Sequence, residues 1–574
     1  MVITRRRVSV LFRPALPLWP CVIALLGPSA CRQSGDRVSQ EIQSIVSADK
    51  PPAYLEGVRW KLVKQIYQDR QYRPLWVGVR PVPERTKQLI ASLCDAEREG
   101  LRPADYRLPE LRRTLERLRQ SLEKERPEAF AVVDLELTRR FLDYGADLLA
   151  GRLDPKAVSS EWYIRERRST IDGTLRGAAQ GQDFNGMMAP LRPDLPEYAE
   201  LVKALAVYRD ILRQGGWPAI SGHTPLRLGS RGKRVAVLRR RLRITGDLVG
   251  SAGSKPIYNR AVAKAVARFQ ARHGIPSNGI VGSATLAALN VPVQVRIRQI
   301  QLNLERYRWL PAEFGPRYIY VNIPDYKLSA YDAGKPVLTM RVVVGDEYDN
   351  ATPVFADLMT YLVFRPYWLV PQRIFVREIL PRLRKQRSYL ARQGYEVVAA
   401  KRGSVVLNPR RINWRRVDLR KIRLRQKPGN TNHLGLVKFM FPNQFAIYLH
   451  DTPTRNLFTG RKRTLSHGCV WVEKPLDLAD YVLAGQEGWN EMKVRQAMVT
   501  THSATDGASV DGNTVTLARP VPVYLVYLTA FVRDGVVNFR RDPYGKDRQA
   551  IARLGKLTPT DPSLCEELQK VLGG

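Results

Sequence analysis

The β-rich part of the chain begins with residues 317–344, which are RYIYVNIPDYKLSAYDAGKPVLTMRVVV. Apolar residues alternate with polar ones from Tyr318 to Ile323, and this period of two predicts a strand. Residues 332–336 contain Gly and Pro between two further strand-like runs and therefore predict a hairpin. Further strands are predicted by the same kind of pattern at residues 358–364, 445–449 and 521–528. A β-rich domain is therefore expected over roughly residues 316–530.

The predicted sheet is interrupted by a basic segment. Pro371 opens a helical pattern in which apolar residues alternate with basic ones. The stretch from Lys401 to Lys427 then carries eleven Lys or Arg residues and one acidic residue, Asp418. Such a run is usually a solvated face. Because it is inserted between two parts of one sheet, we favour a lid that attracts carboxylates.

Upstream of the sheet the pattern is helical. From residue 34 to about 215, leucines recur at spacings of three and four, which predicts amphipathic helices with no catalytic pattern. A separate unit runs from about Thr224 to Val291, with two apolar helical stripes and Asn259 at the N-cap of the second. His273 ends that second stripe and is interpreted as a satisfied helix-end histidine. We expect a scaffold followed by a small helical domain.

The charge and the N-terminus together indicate a compartment. With 93 basic and 54 acidic residues the chain carries a net charge of +39, which attracts polyanions such as nucleic acid or anionic envelope material. Four arginines precede an apolar run at 15–27 and the small residues Ser29 and Ala30, the layout of a secretory leader. An uncleaved membrane anchor, or a lipoprotein site at Cys31, is the alternative. Export excludes nucleic acid as the partner.

Cysteine usage isolates one thiol. Of five cysteines, Cys21 and Cys31 lie in or beside the leader, and Cys94 and Cys565 are interpreted as inert packing or surface residues. Three cysteines in the mature body are too few for a disulfide framework. Cys469 is left as the cysteine that invites a chemical explanation.

Two short segments surround that thiol. They are IYLHDTP at 447–453 and LSHGCV at 465–470. A thiol becomes a good nucleophile when a nearby imidazole takes its proton, and His450 and His467 are candidates. Gly468 allows a sharp turn whose amides can form an oxyanion hole. The alternatives are a zinc site built from the same residues, a structural cysteine, and chance juxtaposition.

These segments resemble a known family. Ser466-His467-Gly468-Cys469-Val470, preceded by His450, resembles the signature of the L,D-transpeptidase catalytic domain. The flanking segments are similar to the long, multidomain branch of that family; they are Tyr72–Val77, Arg365–Pro371, Pro522–Ala530 and Asp542–Asp547. Residues 261–285 resemble a three-helix peptidoglycan-binding module, with Phe269, Gln270, Gly274, Asn278, Gly279, Gly282 and Thr285 as the residues that carry the likeness.

The resemblance implies an α+β multidomain fold. It consists of a helical scaffold, a small three-helix peptidoglycan-binding domain and a β-rich catalytic domain with an inserted capping subdomain. The expected boundaries are 1–31 for a signal peptide or anchor, 32–220 for the scaffold, 223–292 for the binding domain, 300–545 for the catalytic domain with its insertion at 372–432, and 546–574 for a C-terminal tail.

The resemblance also implies a reaction. Cys469 is expected to be the nucleophile and His450 the general base, with Ser466, His467, Gly468 and Tyr448 forming the oxyanion and substrate site. The thiol would take a tetrapeptide stem as a thioester, release D-alanine and pass the acyl group to a diamino-acid side chain, giving a 3→3 cross-link in the periplasm or cell envelope. No metal or cofactor is expected, and carbapenem-type inhibitors are expected to react.

Alternatives for the function stay open. If water instead of the amine resolves the thioester, the protein is an L,D-carboxypeptidase. If the lysine amine of a lipoprotein resolves it, that lipoprotein becomes anchored to the peptidoglycan. A third alternative is a non-catalytic peptidoglycan-binding protein, because the sequence departs from the family at one position. The family carries Arg or Asn two residues after the nucleophile, where this chain has Trp471. Arg461, Lys462 and Arg463 are candidates to replace the lost charge.

Overall fold

The computed structural model describes residues 28–573, except residues 58, 79–82, 123–126, 165–166, 168–170, 180–182, 251–254, 387, 402–404, 500–512 and 556–561. The predicted leader, apart from residues 28–31, lies outside the described residues, and so does its apolar run. None of the described helices is long and apolar enough to cross a membrane.

Helices dominate the first half of the chain. They are α1 (Pro28–Ser47), α2 (Trp60–Asp69), α3 (Glu84–Cys94), α4 (Leu108–Leu122), α5 (Pro127–Ala150), α6 (Pro155–Val158), α7 (Ile171–Ala179), α8 (Phe184–Met188), α9 (Pro196–Arg213), α10 (Lys233–Ile244), α11 (Arg260–Arg272), α12 (Ser283–Leu289) and α13 (Val293–Arg308). The helices of the second half are α14 (Gln372–Ile374), α15 (Leu380–Lys385), α16 (Tyr389–Arg392), α17 (Pro475–Leu483), α18 (Glu491–Val499), α19 (Lys546–Leu554) and α20 (Pro562–Gly573).

Strands follow, apart from one short early strand. They are β1 (Trp162–Tyr163), β2 (Arg317–Asn322), β3 (Lys327–Asp332), β4 (Lys335–Gly345), β5 (Val354–Phe364), β6 (Trp368–Leu369), β7 (Tyr395–Ala399), β8 (Val406–Leu407), β9 (Ile422–Gln426), β10 (Val437–Met440), β11 (Leu449–His450), β12 (Thr464–Ser466), β13 (Val470–Val472), β14 (Thr514–Val526), β15 (Ala530–Arg533) and β16 (Val536–Phe539). This mixture confirms the predicted α+β multidomain class. The predicted domain boundaries stay predictions.

The described chain divides into two compact units. One comprises the described residues within 1–87, 110–139 and 568–574, and the other comprises the described residues within 88–109 and 140–567. In the first unit a buried carboxylate organises the packing: Asp134 of α5 accepts hydrogen bonds from the amides of Trp76 (2.6 Å) and Val77 (2.9 Å). Because the buried carboxylate is satisfied by main-chain donors, it fixes this segment against the helix.

The second unit is built around one large sheet. Its strand order is β1-β5-β10-β11-β13-β4-β3-β2-β14, and β14 pairs again with β5, so the sheet closes on itself. β12 pairs with β4 at the side of this path. The predicted strands at 318–323, 358–364 and 521–528 and the predicted hairpin around residues 332–336 are confirmed, with shifts at the strand ends. The early strand β1 runs parallel to β5, pairing Trp162 with Val354.

One predicted strand is mostly a loop. Residues 445–449 were expected to be extended, but only Leu449 and His450 form β11. The side chain of Asn443 accepts hydrogen bonds from the amides of Phe445 and Ile447, and Ala446 has a φ of 53°. Because these local hydrogen bonds use the amides that would otherwise pair with a neighbouring strand, the segment forms a turn instead of a strand. The prediction was wrong for the first part of this strand.

The basic insertion forms a small subdomain of its own. β6, β9, β7 and β8 make a four-stranded sheet that packs with helices α14–α16 around a separate apolar core, including Phe375, Leu383 and Trp414. A π-helical turn at Phe375–Ile379 separates α14 from α15. In the following, residues 368–426 are called the cap. The helical segment after Pro371 is confirmed, whereas the sheet within the basic run was not predicted.

The binding module is held together by the residues that carry the family likeness. The buried amide of Gln270 donates to Asn278 Oδ1 (2.9 Å) and Thr285 Oγ1 (3.0 Å), while its oxygen accepts from the amide of Gly279 (2.9 Å). Asn259 caps α11 as predicted, accepting from the amide of Val262. These residues are therefore structural, since their polar groups face each other inside the module.

Two cysteines interpreted as inert form a disulfide. Cys94 at the end of α3 is bonded to Cys565 in α20, 471 residues later, and both belong to the second compact unit. The interpretation as inert packing or surface residues was therefore wrong. Nothing in local spacing indicates a partner at that separation, because pairing is decided by the fold.

Candidate active site

The predicted nucleophile and base both lie next to Tyr448. β11 and β13 run parallel, with His450 opposite Trp471, and the amide of Val470 donates to the carbonyl of Tyr448 (3.1 Å). Cys469 directly precedes β13 and is hydrogen-bonded to Tyr448, whose ring centre lies 5.6 Å from that of His450. Tyr448, His450 and Cys469 are thus brought together at the ends of two neighbouring strands.

The ring of His450 is fixed and neutral. It is 4% exposed, and Nδ1 lies 2.6 Å from the carbonyl oxygen of Asp451. A carbonyl accepts only, so Nδ1 carries the proton and Nε2 presents a lone pair. Burial lowers the pKa of His450 to about 4, against the raising influence of that hydrogen bond. The imidazole is therefore ready to accept a proton at neutral pH.

Asp451 is itself held in place. Its carboxylate accepts from the amides of Leu436 (2.8 Å) and Thr452 (2.6 Å) and pairs with Arg455. Gly435 has a φ of 61°, and a Cβ added there would lie 2.3 Å from Asp451 Cγ. Only glycine permits this close approach. The glycine therefore fixes the residue whose carbonyl orients the His450 ring.

The thiol of Cys469 is free and partly exposed. Its sulfur lies 3.8 Å from the carbonyl oxygen of Ala446 in the loop before β11. Burial raises the pKa of Cys469 to about 11, and hydrogen bonds with Tyr448 act in the opposite direction. Because the pKa of the thiol is raised and that of His450 is lowered, the resting site holds a thiol and a neutral imidazole rather than an ion pair. Attack on a substrate then requires proton transfer to the base as the sulfur approaches.

The loop before the nucleophile is tightly braced. Ser466 Oγ donates to the carbonyl of Cys469 (2.5 Å) and accepts from the amide of Gly468 (3.1 Å). Thr352 Oγ1 donates to the carbonyl of Gly468 (2.7 Å). Gly468 has a φ of 113°, so the predicted sharp turn is confirmed. Its amide, however, is already used inside the loop, which leaves the amides of His467 and Cys469 as the oxyanion donors to consider.

The other motif histidine faces the cap. His467 is exposed, and its Nε2 lies 2.6 Å from Glu378 Oε1 in the π-helical turn. His467 therefore contacts the cap, although it lies only two residues before the nucleophile in sequence. Within the described residues, no group of three or more His, Cys, Asp or Glu side chains could hold a metal ion.

The cap contacts a second loop beside the nucleophile. Arg373 and Arg377 both reach Asp349 Oδ2, at 2.6 Å and 3.3 Å. The next residue, Asn350, has its carbonyl oxygen 3.7 Å from the position that a Cβ of Gly468 would occupy. Together with the bond between His467 and Glu378, these ion pairs join one face of the cap to the two loops beside Cys469.

Sequence reasoning missed His433, which lies at the return from the cap. Its Nδ1 lies 2.9 Å from Gln426 Oε1, and its ring is 4.7 Å from that of Trp368. Burial lowers the pKa of His433, whereas Glu378 raises it, and His433 in turn lowers the pKa of His450. The available signal was the scarcity of histidine, because the chain has six.

Trp471 stands where the family carries a polar residue. It pairs with His450 across the parallel ladder, and the two ring centres are 6.1 Å apart. Arg463, a candidate to replace the lost charge, donates to the carbonyls of Val342 and Gly460. Lys462 pairs with Glu347 at 2.8 Å. Both cations have partners in their own surroundings, and Trp471 forms an aromatic wall beside the base.

Three family models match the chain. A scaffold domain matches residues 61–205, a "Putative peptidoglycan binding domain" matches residues 231–289, and the L,D-transpeptidase catalytic domain matches residues 316–499. The last match includes the strands that carry His450 and Cys469. The chain therefore contains an L,D-transpeptidase catalytic domain together with a peptidoglycan-binding domain, as the sequence motifs predicted.

A curated relative agrees with this assignment. A protein of Haemophilus influenzae named "Putative L,D-transpeptidase" is 36% identical over 253 residues, which are 44% of this chain and 48% of the relative. The chain spans about half the length of this relative.

Solved structures of L,D-transpeptidases are more distant. One from Xylanimonas cellulosilytica is 14% identical with a TM-score of 0.16, covering 53% of this chain and 99% of that one. One from Stackebrandtia nassauensis is also 14% identical, with a TM-score of 0.21 and coverage of 54% and 96%. At these TM-scores neither likeness carries an argument about this chain.

Proposed function

We propose that the protein is a peptidoglycan L,D-transpeptidase of the cell envelope that works through a thioester on Cys469. The observation that supports this proposal is that a free, partly exposed thiol and a buried imidazole both lie next to Tyr448, at the ends of two neighbouring strands. The imidazole is oriented through Nδ1, so its Nε2 is the available base. The catalytic and peptidoglycan-binding domains of the chain support the substrate class.

The first step is acylation. His450 Nε2 takes the proton of the Cys469 thiol while the sulfur attacks the carbonyl carbon of the third stem-peptide residue. The resulting oxyanion accepts hydrogen bonds from the amides of Cys469 and His467. The C–N bond to the terminal D-alanine then breaks, and the imidazolium returns its proton to the leaving amine. A thioester remains on the sulfur.

The second step reverses these roles. The side-chain amine of a diamino acid on a neighbouring stem attacks the thioester carbonyl and gives its proton to His450. The C–S bond breaks, an amide forms between two third residues, and the thiolate takes the proton from the imidazolium. The product is a 3→3 cross-link and the free enzyme, and no other reactant is needed.

The cap supplies cations for the donor. Arg373 and Arg377 lie one helical turn apart and share the single exposed carboxylate of Asp349. A stem-peptide carboxylate presents the same group and can replace Asp349 at this pair. Because Trp471 cannot make charged hydrogen bonds, the proposal assigns recognition of the donor carboxylate to these two arginines.

The test is an assay of the purified chain with tetrapeptide muropeptides. Mass spectrometry is expected to detect D-alanine release and cross-linked dimers, and a carbapenem is expected to leave a covalent adduct on Cys469. Cys469→Ala is expected to lower product formation by about 10⁴-fold or more, as for other nucleophile deletions. Products that persist in Cys469→Ala would overturn the proposal, whereas tripeptide monomers without dimers would identify an L,D-carboxypeptidase.

A further inference from the structure

A large groove lies elsewhere in the second compact unit, and it shares no lining residue with the cluster of Tyr448, His450 and Cys469. Its volume is about 860 Å³, and three separate parts of the chain form its walls. These parts are helix α9, the end of α10 with one face of α11, and the hairpin β15–β16; Lys327 at the start of β3 completes the lining. The binding module therefore contributes only part of the groove.

The three walls are fastened to each other inside the unit. Arg540, which follows β16, donates to the carbonyl of Arg272 in α11 (2.9 Å). Arg272 in turn reaches the hydroxyl of Tyr208 in α9 (3.4 Å), and Tyr208 packs against Phe539 with ring centres 5.5 Å apart. The groove is thus a preformed feature of the packed unit, as ligand sites usually are.

The groove has an excess of positive charge. Asp325 is buried beneath it and is shared by Arg533 (2.6 Å) and Arg540 (2.5 Å). Lys327, half-buried at the start of β3, also lines the groove and forms no ion pair with any described residue. Burial lowers the pKa of Lys327, Asp325 raises it, and Arg533 and Arg540 lower it further. Three cations here face one carboxylate, so a bound anion would stabilise them.

The remaining acids do not cancel this excess. Glu200 pairs with Lys203 (2.7 Å) and Asp247 pairs with Arg272 (2.6 Å). Two further lining cations, Arg243 and Arg268, have no carboxylate within 4 Å among the described residues, although Arg268 donates to the carbonyl of Asp247. Asp534 in the hairpin is the other lining acid.

The walls are also partly apolar. Val207 of α9 and Val536 of β16 line the groove and are 55% and 47% exposed. Exposed apolar side chains beside unpaired cations suit a ligand that carries carboxylates on a partly apolar body. A stem peptide, with alanine methyl groups and several carboxylates, has this chemistry.

We infer that this groove is a second, non-catalytic binding site for a peptidoglycan stem peptide, formed jointly by α9, the binding module and the hairpin β15–β16. Lys327 and Arg243 hold carboxylates of the ligand, and the valines pack against its methyl groups. The peptidoglycan-binding domain alone would then provide one wall of the site. The choice of ligand rests on the proposed function, whereas the site itself rests on the geometry of the groove.

The experiment measures binding in the full chain carrying Cys469→Ala, so that turnover cannot interfere. Isothermal titration with a disaccharide-tetrapeptide is expected to show that Lys327→Gln and Arg243→Gln each raise Kd by about tenfold, the effect of one charge-assisted hydrogen bond. Lys327→Arg is expected to bind like the parent chain. The matched controls are Lys335→Gln on β4 and Arg240→Gln on α10, exposed cations outside the groove.

Several outcomes would overturn the inference. They are unchanged binding by Lys327→Gln and Arg243→Gln, equal binding of a muropeptide with amidated carboxylates, and binding of polyphosphate but not of muropeptide.

A parallel measurement separates this inference from the proposed function. In the chain with Cys469 intact, Lys327→Gln is expected to form the carbapenem adduct at the parent rate. Weak binding with intact acylation supports the groove, and absent acylation in the parent chain contradicts the catalytic proposal alone.

Discussion

Two buried histidines of this chain look alike until their neighbours are compared. In the binding module, His273 has Nδ1 2.7 Å from the carbonyl of Phe269, and burial holds its pKa well below the ordinary value. In the catalytic domain, His450 has the same kind of bond to Asp451 and a pKa of about 4. His273 stacks on Phe269 at 3.8 Å, whereas His450 and the thiol of Cys469 both lie next to Tyr448. A lowered pKa therefore shows only that an imidazole is buried, and the groups around the imidazole determine whether it can act in catalysis.

The largest expected effect separates the two rings by activity. His450→Gln is expected to lower the rate of carbapenem adduct formation by about 10³-fold, because the thiol loses its base. His273→Gln is expected to keep that rate within about twofold, since surface and packing changes away from the site act on stability. Intact-mass measurement of the adduct over time gives both rates.

Thermal unfolding of both variants serves as the control. His273→Gln is expected to melt at a lower temperature, because a buried ring stacked on Phe269 is lost. Equal loss of rate in the two variants would remove the distinction between a catalytic and a structural histidine.

The second expected effect applies to both rings and concerns acid. Each histidine has a lowered pKa in the folded state, so the unfolded chain takes up protons first as the pH falls. The contribution of each ring to the free energy of unfolding is therefore complete above about pH 6.5. It declines toward pH 4, by on the order of 3 kcal/mol for His450. Urea denaturation at pH 7, 5 and 4 measures this decline.

The matched comparison uses the variants themselves. His450→Gln and His273→Gln are each expected to flatten the acid decline relative to the parent chain, while carboxylates contribute equally to all three. A decline of the same size in parent and variants would show that these rings are not buried neutral.

The third expected effect concerns the source of the orienting carbonyl. His273 finds its acceptor one turn back in its own helix, whereas His450 depends on Asp451, which Gly435 allows to approach. Gly435→Ala is expected to displace Asp451 and lower the acylation rate by about 10²-fold. Adduct formation measures the rate, with Gly334→Ala as the control.

Gly334 also has a positive φ, at 75°, but a Cβ there meets open space. Gly334→Ala therefore carries the backbone strain without the collision. A similar rate in both variants would mean that the position of Asp451 does not matter to the base.

The smallest expected effect concerns the third histidine near the site. His467 is exposed and pairs with Glu378 of the cap, and exposed pairs contribute about 0–1 kcal/mol. Glu378→Gln is expected to change KM for the muropeptide by up to about fivefold and to leave kcat unaltered. Glu491→Gln, which disturbs the exposed pair with Arg495, is the control. A large loss of kcat would place Glu378 in the chemistry.

The sequence predicts the site better than its surroundings. The motif at 466–470 and His450 are recognisable because nucleophile, base and glycine are few residue types at short spacing. Asp451 and Gly435 could not be chosen, since their roles arise from an approach between separate loops. His433 was missed for the same reason: it reaches the site only through the return of the cap.

Charge composition concealed part of the fold. Residues 422–426 alternate as Ile, Arg, Leu, Arg and Gln, with Ile422 and Leu424 buried, and they form β9. That alternation predicts a strand, but the surrounding run of eleven cations was interpreted as a solvated face or, by preference, as a lid that attracts carboxylates. Arg423 donates to the carbonyls of Leu419 and Ile422, and Arg425 pairs with Glu396 (2.9 Å), so both guanidinium groups have partners and basic residues are compatible with a strand here.

The early strand β1 has a practical consequence for anyone who shortens this protein. Trp162 and Tyr163 cover one edge of β5, and Lys546 binds the preceding residue Glu161 at 2.6 Å. Tyr163 also packs on Phe445, which belongs to the same loop as Ala446, the residue whose carbonyl lies 3.8 Å from the sulfur of Cys469. A fragment starting near residue 300 would leave that edge of β5 unpaired, and an unpaired edge strand promotes self-association. A catalytic fragment therefore needs residues 162–163, either within the same chain or added as a separate peptide that contains them.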